Sequence, residues 1–519
     1  MRKNSIGLAG ISLVSLFIFA CDSNSDVSSG GPPASGGQLS GGSGGGDGGS
    51  VGGTGGTGGM TGGVPDAGVS KDGSPADGPL ICNCPMLPAV CSNGIQTGPA
   101  PCDCPLCAPT TGGLDAGADT DISSGKSRIT SPVVSSEDAT QLASDNLAFS
   151  VDLYGQLAAL NAGNNFIFSQ TSISLALAML YGGAANHTAS QMASALHFTL
   201  PPDRLHLAFD ALDLGLKTQP TDAGTATFQL AIANSLWVQQ GFAFLPSYLD
   251  LLAQDYGAGL FVENFASSPE TARSDINNWV SDKTEQMIPE LFPQGTITPE
   301  TRLVLANAVF FHGDWLLPFD GKSPNGTFHA PASDVSVPMM SISEMTNATI
   351  WGGIGWSAAA LGYTGGTTSM VLLVPDAGTL DEFEQGLTAP GLAAMLTPVQ
   401  AVSGRVSMPR FKFSTPSSLN GVLHALGMTD AFNPALADFS GMDGARDLSV
   451  GSVIHKAVIA VDEKGTTAAA ATGVTVRVNG GISQPKILVV DRPFLFFIRH
   501  DPTGAILFQG RVVDPSKAQ

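Results

Sequence analysis

The 519-residue sequence lacks aromatic residues over one long stretch near its N-terminus. No Phe, Trp or Tyr lies between Phe19 and Phe149, whereas 34 of the 36 aromatic residues lie from Phe149 onward. A segment without aromatic residues cannot easily bury enough apolar surface to offset its chain entropy. We therefore expect the folded mass to be the last ~370 residues, which suffice for one large domain.

Basic residues are also scarce, since 23 Lys and Arg stand against 44 Asp and Glu, for a net charge of −21. A protein that binds nucleic acid or another polyanion needs a basic face. The nearest candidate helix for such a site, Leu200 to Leu216, carries three Asp and one Arg. The sequence therefore argues against nucleic acid and heparin-type polyanions as partners.

Motifs of enzymes are missing as well. The sequence has no HExxH zinc motif and no clear pair of catalytic carboxylates. One G-x-S-x-G match, Gly41 to Gly45, lies in a glycine-rich run that cannot supply the required strand-to-helix turn. We predict that the protein is not an enzyme and needs no cofactor and no metal.

The N-terminus has the pattern of an export signal. Arg2 and Lys3 precede a short apolar run, which predicts a signal peptide over residues 1–20. The run ends in Ile-Phe-Ala-Cys, which resembles a bacterial lipobox and predicts lipid attachment at Cys21. The alternative is ordinary cleavage, with Cys21 an unmodified thiol. We expect an exported bacterial protein, either a membrane-anchored lipoprotein or a protein of the extracellular surface, with the lipid as its only membrane contact.

Three segments follow before the main domain. Residues 21–81 are predicted to be a flexible tether, because Ser28 to Gly78 contains 22 glycines in 51 residues. Residues 82–107 are predicted to form a small Cys-rich knot. Its even cysteine number, the absence of nearby His and the oxidising compartment favour three disulfides, in any of 15 pairings, over a thiolate metal site. A linker over residues 108–138 leads to a domain over 139–515. The disulfide candidates are Cys82, Cys84, Cys91, Cys102, Cys104 and Cys107.

The main domain mixes helical and strand patterns. Apolar spacing predicts a helix over Ala143 to Leu160 and an amphipathic helix over Thr271 to Met287. Phe228 to Gln239 and Leu303 to Phe311 are typical of central strands, and from Val402 onward the pattern is mostly strand and turn. A short strand followed by a buried helix is predicted in the run FIFSQTSISLALAMLYGGA. Strands mixed with clustered helices indicate an α+β fold.

Several long segments in this region resemble the serpin family of protease inhibitors. They are Ile276 to Phe319, Phe411 to Met442, His455 to Val474 and Asp491 to Pro515, the last ending in FLFFIRHDPTGAILFQGRVVDP. The resemblance spans roughly Ala139 to Pro515. It implies a serpin fold with a large, mainly antiparallel central sheet, clustered helices and an exposed reactive loop.

The resemblance also implies a mechanism and a partner. A target protease cleaves the loop, forms a covalent acyl-enzyme, and is carried along as the loop inserts into the sheet as a new strand. The hinge of that loop maps onto consecutive residues: Glu463, Lys464, Gly465, Thr466, Thr467, Ala468, Ala469, Ala470 and Ala471. Gly465 permits a large backbone rearrangement. We expect a monomer that traps a serine protease, or a cysteine protease.

Alternate residues of the loop support insertion on physical grounds. Residues of one parity point to one face of a strand. Every second residue from Thr466 onward is small or β-branched, and none is charged, so the face that they form can be buried in a sheet. The inward parity consists of Thr466, Ala468, Ala470, Thr472, Val474 and Val476. This composition favours an inhibitor over the alternative, a non-inhibitory serpin-fold protein with a surface-binding or structural role.

Other family positions carry over residue by residue. Ser169, Ser172, Asn307 and His455 fall where serpins have a buried polar cluster, the shutter, below the part of the sheet that opens. The alternative is that they are ordinary core polar residues whose hydrogen bonds are satisfied, and the two interpretations are compatible. Trp315 falls at the breach, the end of the sheet where insertion begins. Gln170 departs from the proline that is usual in the family beside the first shutter serine.

The reactive bond is predicted from the family's usual loop length. Counting from the hinge places it between Asn479 and Gly480. Val478 and Arg477 are the alternatives, because Val478 suits a small elastase-like pocket and Arg477 a trypsin-like one. A cut after Arg477 would shorten the inserted strand by two residues, about 7 Å, and weaken trapping.

Overall fold

A computed structural model describes residues 122–217, 228–321, 323–343, 346–466 and 485–517. It also describes a short antiparallel strand pair, β1 (Val90–Cys91) and β2 (Gly94–Ile95), within a separate N-terminal unit. The predicted signal peptide, Cys21, the tether and the five other knot cysteines lie outside the described residues. Of Cys91 only the strand backbone is described.

The helices of the main unit follow the chain in clusters. Ser135 caps the first of them, since its side chain accepts a hydrogen bond from the backbone N–H of Asp138 at 3.0 Å. The helices are α1 (Ser136–Leu160), α2 (Gln170–Tyr181), α3 (Asn186–Ala195), α4 (Pro202–Lys217), α5 (Pro246–Leu251), α6 (Pro269–Lys283), α7 (Leu380–Gln385), α8 (Ala389–Met395), α9 (Asn420–Ala425) and α10 (Ser440–Asp443). A π-helical turn, Leu252–Tyr256, extends α5.

The strands form two large sheets. One has the order β13-β14-β15-β6-β4-β5; the other has the order β3-β18-β17-β11-β10-β9-β12-β8-β7, with β16 paired to β12. The strands are β3 (Phe166–Phe168), β4 (Phe228–Gln239), β5 (Leu260–Glu263), β6 (Leu303–Asp314), β7 (Asn325–His329), β8 (Asp334–Met340), β9 (Ala348–Gly353), β10 (Trp356–Gly362), β11 (Thr368–Pro375), β12 (Val402–Pro409), β13 (Phe411–Ser418), β14 (Val450–Val461), β15 (Gly465–Thr466), β16 (Lys486–Val489), β17 (Phe494–His500) and β18 (Ile506–Val512). This architecture confirms the predicted α+β fold with a large, mainly antiparallel sheet.

The apolar core lies on both faces of the six-stranded sheet. On one face, helix α2, which is buried from Gln170 to Leu180, packs against β4, β6 and β18, so it lies between the two sheets. On the other face, α6 covers Trp237 and Phe261, whose rings stack at 4.3 Å. The six-stranded sheet is therefore covered on both sides, as buried strands with few polar residues require.

Most elements match the sequence-based expectations, and three differ at one boundary. Strand β6 continues to Asp314 rather than ending at Phe311. Strand β4 has the predicted bounds. Helix α6 ends at Lys283 rather than Met287, because Glu285 and Gln286 adopt positive φ angles of 51° and 64°, which interrupt a right-handed helix. Helix α1 begins at Ser136 rather than Ala143, since the Ser135 cap fixes an earlier first turn.

The second half of the predicted linker packs against the domain. We call residues 122–135 the strap. Ile122 forms two backbone hydrogen bonds with Leu260 of β5, at 3.0 and 2.8 Å, at the edge of the six-stranded sheet. Further along, the Ile129 N–H donates to the carbonyl of Gln254 at 2.9 Å. The strap thus connects the sheet edge to the π-helical turn.

Charge explains why a polar segment docks here. The Arg128 guanidinium binds Asp210 at 2.8 Å and Asp213 at 2.6 Å, both on α4. Asp210 is fully buried. Burial raises the pKa of Asp210 despite the opposing effect of Arg128. A buried carboxylate needs a counter-charge, and the strap provides it.

Replacing Arg128 with alanine should therefore loosen the strap. We expect a loss of about 2–4 kcal/mol in stability, because Asp210 loses its ion-pair partner, and faster hydrogen exchange at Ile122 and Leu260. The matched control is Arg204→Ala, which removes the ion pair between Arg204 and Asp138. Because the Arg204 side chain is 47% exposed, this substitution should reduce the stability less. Equal effects of the two substitutions would contradict the role given to Arg128.

Candidate functional site

The hinge enters the six-stranded sheet at one end. Strand β15 lies between β14 and β6, with Thr466 paired to Val461 on one side and to Gly313 on the other. Beyond this end β14 and β6 pair directly, in parallel, from Val450 to Val458 of β14. At this end the two hinge residues of β15 separate β14 from β6, and along the rest of their length β14 and β6 pair with each other. We call the boundary between β14 and β6 the seam.

The side chain of Thr466 is completely buried at the breach. Its hydroxyl lies 2.7 Å from the Tyr363 hydroxyl. The Tyr363 ring stacks on Trp315 with centroids 4.6 Å apart. Trp315 in turn donates its indole N–H to the carbonyl of Asp462 at 3.0 Å. The predicted breach residue therefore contacts the chain directly just before the hinge, and through Tyr363 it contacts Thr466 within the hinge.

Gly465 has a steric reason to be glycine. A Cβ atom at this position would lie 2.1 Å from the carbonyl oxygen of Gly313 and 2.8 Å from the Cα of Asp314. Any side chain would push β15 away from β6. Close backbone approach is one of the situations that demand glycine, and it accounts for the glycine at position 465.

The first hinge residues are held by polar contacts. The Glu463 carboxylate binds the Arg410 guanidinium, with Nε at 2.7 Å, and accepts a hydrogen bond from Ser323. Burial acts to raise the pKa of Glu463, but these donors outweigh it, and the pKa is lowered. The Lys464 carbonyl accepts a hydrogen bond from the backbone N–H of Trp315 at 2.8 Å. Side-chain and backbone hydrogen bonds therefore hold the first two residues of the predicted hinge in place.

The predicted shutter residues lie together. His455 on β14 and Asn307 on β6 are register partners, and their side chains are hydrogen bonded. Asn307 Nδ2 donates to the Ser172 hydroxyl at 2.8 Å, and the Ser169 backbone N–H donates to His455 Nε2 at 3.1 Å. All four residues are buried. The N-terminus of α2 thus binds the two strands that insertion would separate.

Burial determines the charge state of the shutter. His455 is fully buried, which lowers its pKa to about 3. Because Nε2 accepts a hydrogen bond from Ser169, the neutral ring carries its proton on Nδ1 and donates it to Asn307 Oδ1. The cluster is uncharged and fully paired at neutral pH. Opening the seam must therefore break the His455–Asn307 hydrogen bond.

Sequence reasoning missed several members of the site, among them Ser323, which donates to Glu463. Asn234 on β4 is the register partner of Asn307 and lies 3.0 Å from the Ser172 hydroxyl. Tyr363 and Arg410 contact the hinge across 103 and 53 residues of sequence. A lone Asn in the apolar run of β4 was a usable signal. The other contacts are long-range, and no local pattern marks them.

Gln170 is the first residue of α2, at the position where proline is usual in the family. Its side-chain amide donates to Asn146 Oδ1 at 3.0 Å and to the Ser174 hydroxyl at 2.7 Å. It therefore binds α1 and its own helix rather than the shutter. The hydrogen bonds among Ser169, Ser172, Asn307 and His455 form with glutamine at this position.

The remaining predicted site residues lie outside the described residues. They are Thr467, Ala468, Ala469, Ala470, Ala471, Arg477, Val478, Asn479 and Gly480. Within the described part of the chain, no group of three or more His, Cys, Asp or Glu residues is arranged to hold a metal ion. Nor does any described helix have the length and apolarity needed to cross a membrane.

Comparison with known proteins agrees with this geometry. The model of the serpin family, described as serine protease inhibitor, matches residues 144–515. The human leukocyte elastase inhibitor is 35% identical over 390 residues, covering 72% of this chain and all of that protein. A serpin-like protein of Thermococcus kodakarensis is 36% identical over 371 residues, covering 71% of this chain and 84% of that protein. The chain belongs to the serpin family.

Solved structures show the same fold. The structure of uncleaved ovalbumin aligns with a TM-score of 0.64 at 27% identity, covering 72% of this chain and all of ovalbumin. The thermophilic serpin tengpin in its native state aligns with a TM-score of 0.65 at 28% identity, covering 76% of this chain and 97% of tengpin. Serpins are generally protease inhibitors rather than enzymes, and the curated relatives include such inhibitors.

Proposed function

We propose that this protein inhibits serine proteases, and in some cases cysteine proteases, as a suicide substrate. The protease nucleophile attacks the reactive-bond carbonyl, so that an ester or thioester forms while the peptide bond breaks and the new amino group takes a proton. The loop then inserts into the six-stranded sheet with the acyl-enzyme attached. The observation that carries this proposal is β15, which already lies between β14 and β6.

The observed register supports a full-length insertion. Continuing the pairing of Thr466 with Gly313 one residue at a time brings Val476 opposite Leu303, where β6 begins. Continuing the pairing with Val461 brings Arg477 opposite Val450, where β14 begins. The seam thus has room for a strand that ends just before the proposed Asn479–Gly480 bond.

The same register supports a role for the shutter in the proposed insertion. It brings Thr472 opposite both Asn307 and His455, which are themselves register partners in the closed sheet. A threonine hydroxyl both donates and accepts, so Thr472 can replace the His455–Asn307 hydrogen bond that insertion breaks. Insertion then leaves no shutter group unpaired, which keeps its energetic cost low.

The composition of the loop agrees with burial. Because Thr466 points to Tyr363 in the core, residues of its parity would follow it inward. These residues are uncharged and small or β-branched, which permits burial. A non-inhibitory surface protein does not require such a face. We therefore favour the inhibitor over a binding or structural role.

The test is a panel of serine and cysteine proteases incubated with the full chain. We expect a complex that survives SDS and heating, together with some cleaved inhibitor, because the ester or thioester link is covalent. A protease whose active-site nucleophile is blocked is the control and should give no such band. Cleavage by every protease without a stable complex would instead support the non-inhibitory alternative.

The reactive bond can be located in the trapped complex. We expect the released C-terminal fragment to begin at Gly480, or at Asn479 if the cut follows Val478. The name of the leukocyte elastase inhibitor supports an elastase-type target, for which Val478 is the better fit. Intact mass measurement of the fragment decides, and a fragment that begins before Val478 or beyond Ile482 would contradict the assignment.

We also propose that the inhibitor is a lipoprotein exported from a bacterial cell. The lipobox-like Ile-Phe-Ala-Cys supports attachment at Cys21, and the 22 glycines between Ser28 and Gly78 support a flexible spacer. Taken as coil, residues 22–138 would span about 60 Å root-mean-square, and less where the knot contracts the chain and the strap is docked. Such a tether would hold a monomeric inhibitor clear of the membrane surface.

Replacing Cys21 with alanine should release the protein from membranes. Without its lipid the chain keeps no expected membrane contact, while the hinge and sheet are unchanged. We expect movement from the membrane to the soluble fraction and an unchanged rate of protease inhibition. Membrane fractionation of the wild type and the variant is the measurement, and unchanged fractionation would contradict the lipid anchor.

A further inference from the structure

A half-open cavity of about 270 Å³ lies between the end of α2, the starts of α3 and α4, and the π-helical turn after α5. An apolar cavity of about 150 Å³ admits benzene, so this one has room for a ring with a short side arm. None of the described hinge, shutter and breach residues lines it. Its walls combine aromatic, carboxylate and apolar side chains, which include Tyr181, Ala189, Asp203, His206, Leu251 and Asp255.

One carboxylate in the wall lacks a counter-charge. Asp255 is half-buried, and its carboxylate has no hydrogen-bond donor and no ion-pair partner among the described residues. Burial and the charge of Asp210 raise the pKa of Asp255 to about 6, against the opposing effect of Arg128. Arg128 itself is held by Asp210 and Asp213. A partly desolvated carboxylate is stabilised by a cation, and the chain leaves that place unfilled.

A buried histidine adds a second polar atom to the wall. His206 is only 3% exposed, and its Nδ1 lies 2.6 Å from the Tyr256 hydroxyl. In the described part of the chain, its Nε2 has no hydrogen-bond partner, although the ring lines the cavity. Burial lowers the pKa of His206 to about 4, so the ring is neutral at pH 7. With its proton on Nδ1, the ring can accept a hydrogen bond from a ligand at Nε2.

The rest of the wall suits an organic cation. The Tyr181 ring lies 6.2 Å from the His206 ring, and its T-shaped contact with Phe198, at 5.5 Å, holds it in place. The face of an aromatic ring attracts cations. Asp203 is exposed and adds a second carboxylate. Since no Lys or Arg is among the described lining residues, the cavity is negatively charged and disfavours anions.

We propose that the cavity binds an organic ammonium ion, a protonated primary amine with a small apolar body. The ammonium group would pair with Asp255 and donate a hydrogen bond to His206 Nε2, and the apolar body would cover Tyr181 and Leu251. An ammonium group has three donors and no acceptor, which matches a wall of acceptors. The site is independent of protease trapping, so failure of this proposal leaves the inhibitor function untouched.

The test measures binding to the full chain by isothermal titration at pH 8 with benzylamine and, separately, with Nα-acetyl-lysine amide. We expect at least one of the two to bind saturably at one site, and the arm that binds distinguishes a free aromatic amine from the lysine side chain of a peptide. Benzyl alcohol and Nα-acetyl-norleucine amide have similar apolar bodies without the charge. Each should bind at least about tenfold more weakly than its amine, because it lacks the charge-assisted hydrogen bonds.

The pH dependence of binding provides a second readout. Lowering the pH from 8 to 5 should weaken binding of the amine about tenfold, because Asp255 takes up a proton near pH 6 whereas the amine stays charged. The neutral His206 ring does not change over this range, since its pKa is about 4. The same affinity at both pH values would contradict pairing with Asp255.

Two substitutions with matched controls locate the site. Asp255→Asn keeps the side-chain size and removes a buried charge, so the variant should fold. It should weaken amine binding about tenfold or more and remove most of its pH dependence, whereas Asp282→Asn, at an exposed residue of α6 outside the cavity, should change neither. Ala189→Trp should fill the cavity, whereas Ser190→Trp changes the neighbouring exposed residue of α3, which does not line it. Binding of neither amine, or equal binding by Asp255→Asn and the wild type, would overturn the proposal.

Discussion

The substitution Thr466→Arg is expected to convert the inhibitor into a substrate. Thr466 is fully buried beside Tyr363, and an arginine there would bring an unpaired charge into the core at a cost of several kcal/mol. The hinge would leave the seam and insertion would fail after cleavage. The loop would still be cut. The variant is titrated against a protease that the wild type traps. The amount of covalent complex should fall at least tenfold, with cleaved chain in its place.

The neighbouring residue provides the control. Thr467→Arg introduces the same charge at the opposite parity, which would face the other side of the sheet beside the half-buried Ala460 if the strand continues in the observed register. It should keep most of the trapping activity. If Thr466→Arg traps protease with undiminished stoichiometry, or if both variants lose trapping equally, the inward parity assigned to the loop is wrong.

Acidification is expected to destabilise the native protein through His455. The pKa of His455 is about 3 in the folded chain and about 6.5 when unfolded. Between these values only the unfolded chain gains the proton, so stability is lost as the pH falls from 6.5 towards 3. The loss is about 1.4 kcal/mol per pH unit and at most about 5 kcal/mol.

Two variants separate His455 from other titrating groups. His206, also buried, has a pKa lowered to about 4 and adds to the same pH dependence. His455→Gln should therefore make the dependence shallower without abolishing it, and His424→Gln, an exposed histidine on α9, should leave it unchanged. The measurement is the urea midpoint of the first unfolding transition from pH 7 to pH 4. An unchanged slope in His455→Gln would contradict a neutral, buried shutter histidine.

Local patterns predicted the elements of the fold because each carries its own periodicity. The apolar run of β4 gave its bounds directly, whereas α6 was overextended because two residues beyond Lys283 adopt a left-handed backbone that side-chain periodicity cannot reveal. The cap at Ser135 was missed in the same way. Boundaries depend on backbone detail that a hydrophobic pattern does not encode.

The site was less accessible to sequence reasoning. Resemblance to serpins supplied the hinge and shutter residues, but whether β15 lies in the sheet depends on the gap between β14 and β6, which is a tertiary property. Docking of the strap was also unforeseen. Its polar composition is typical of coil, and Arg128 meets buried carboxylates that lie 82 and 85 residues further along the chain.

The account rests on insertion of the cleaved loop, and thermal unfolding of cleaved and uncleaved protein tests it most directly. A metalloprotease, which forms no acyl-enzyme, is used to cut the chain once, and mass measurement confirms that the cut lies within residues 467–484. Insertion adds a central strand to the six-stranded sheet, so we predict that Tm rises by about 10 °C or more, and that cleaved Thr466→Arg shows no such rise. An unchanged or lower Tm after cleavage of the wild type would contradict insertion and the inhibitory mechanism built on it.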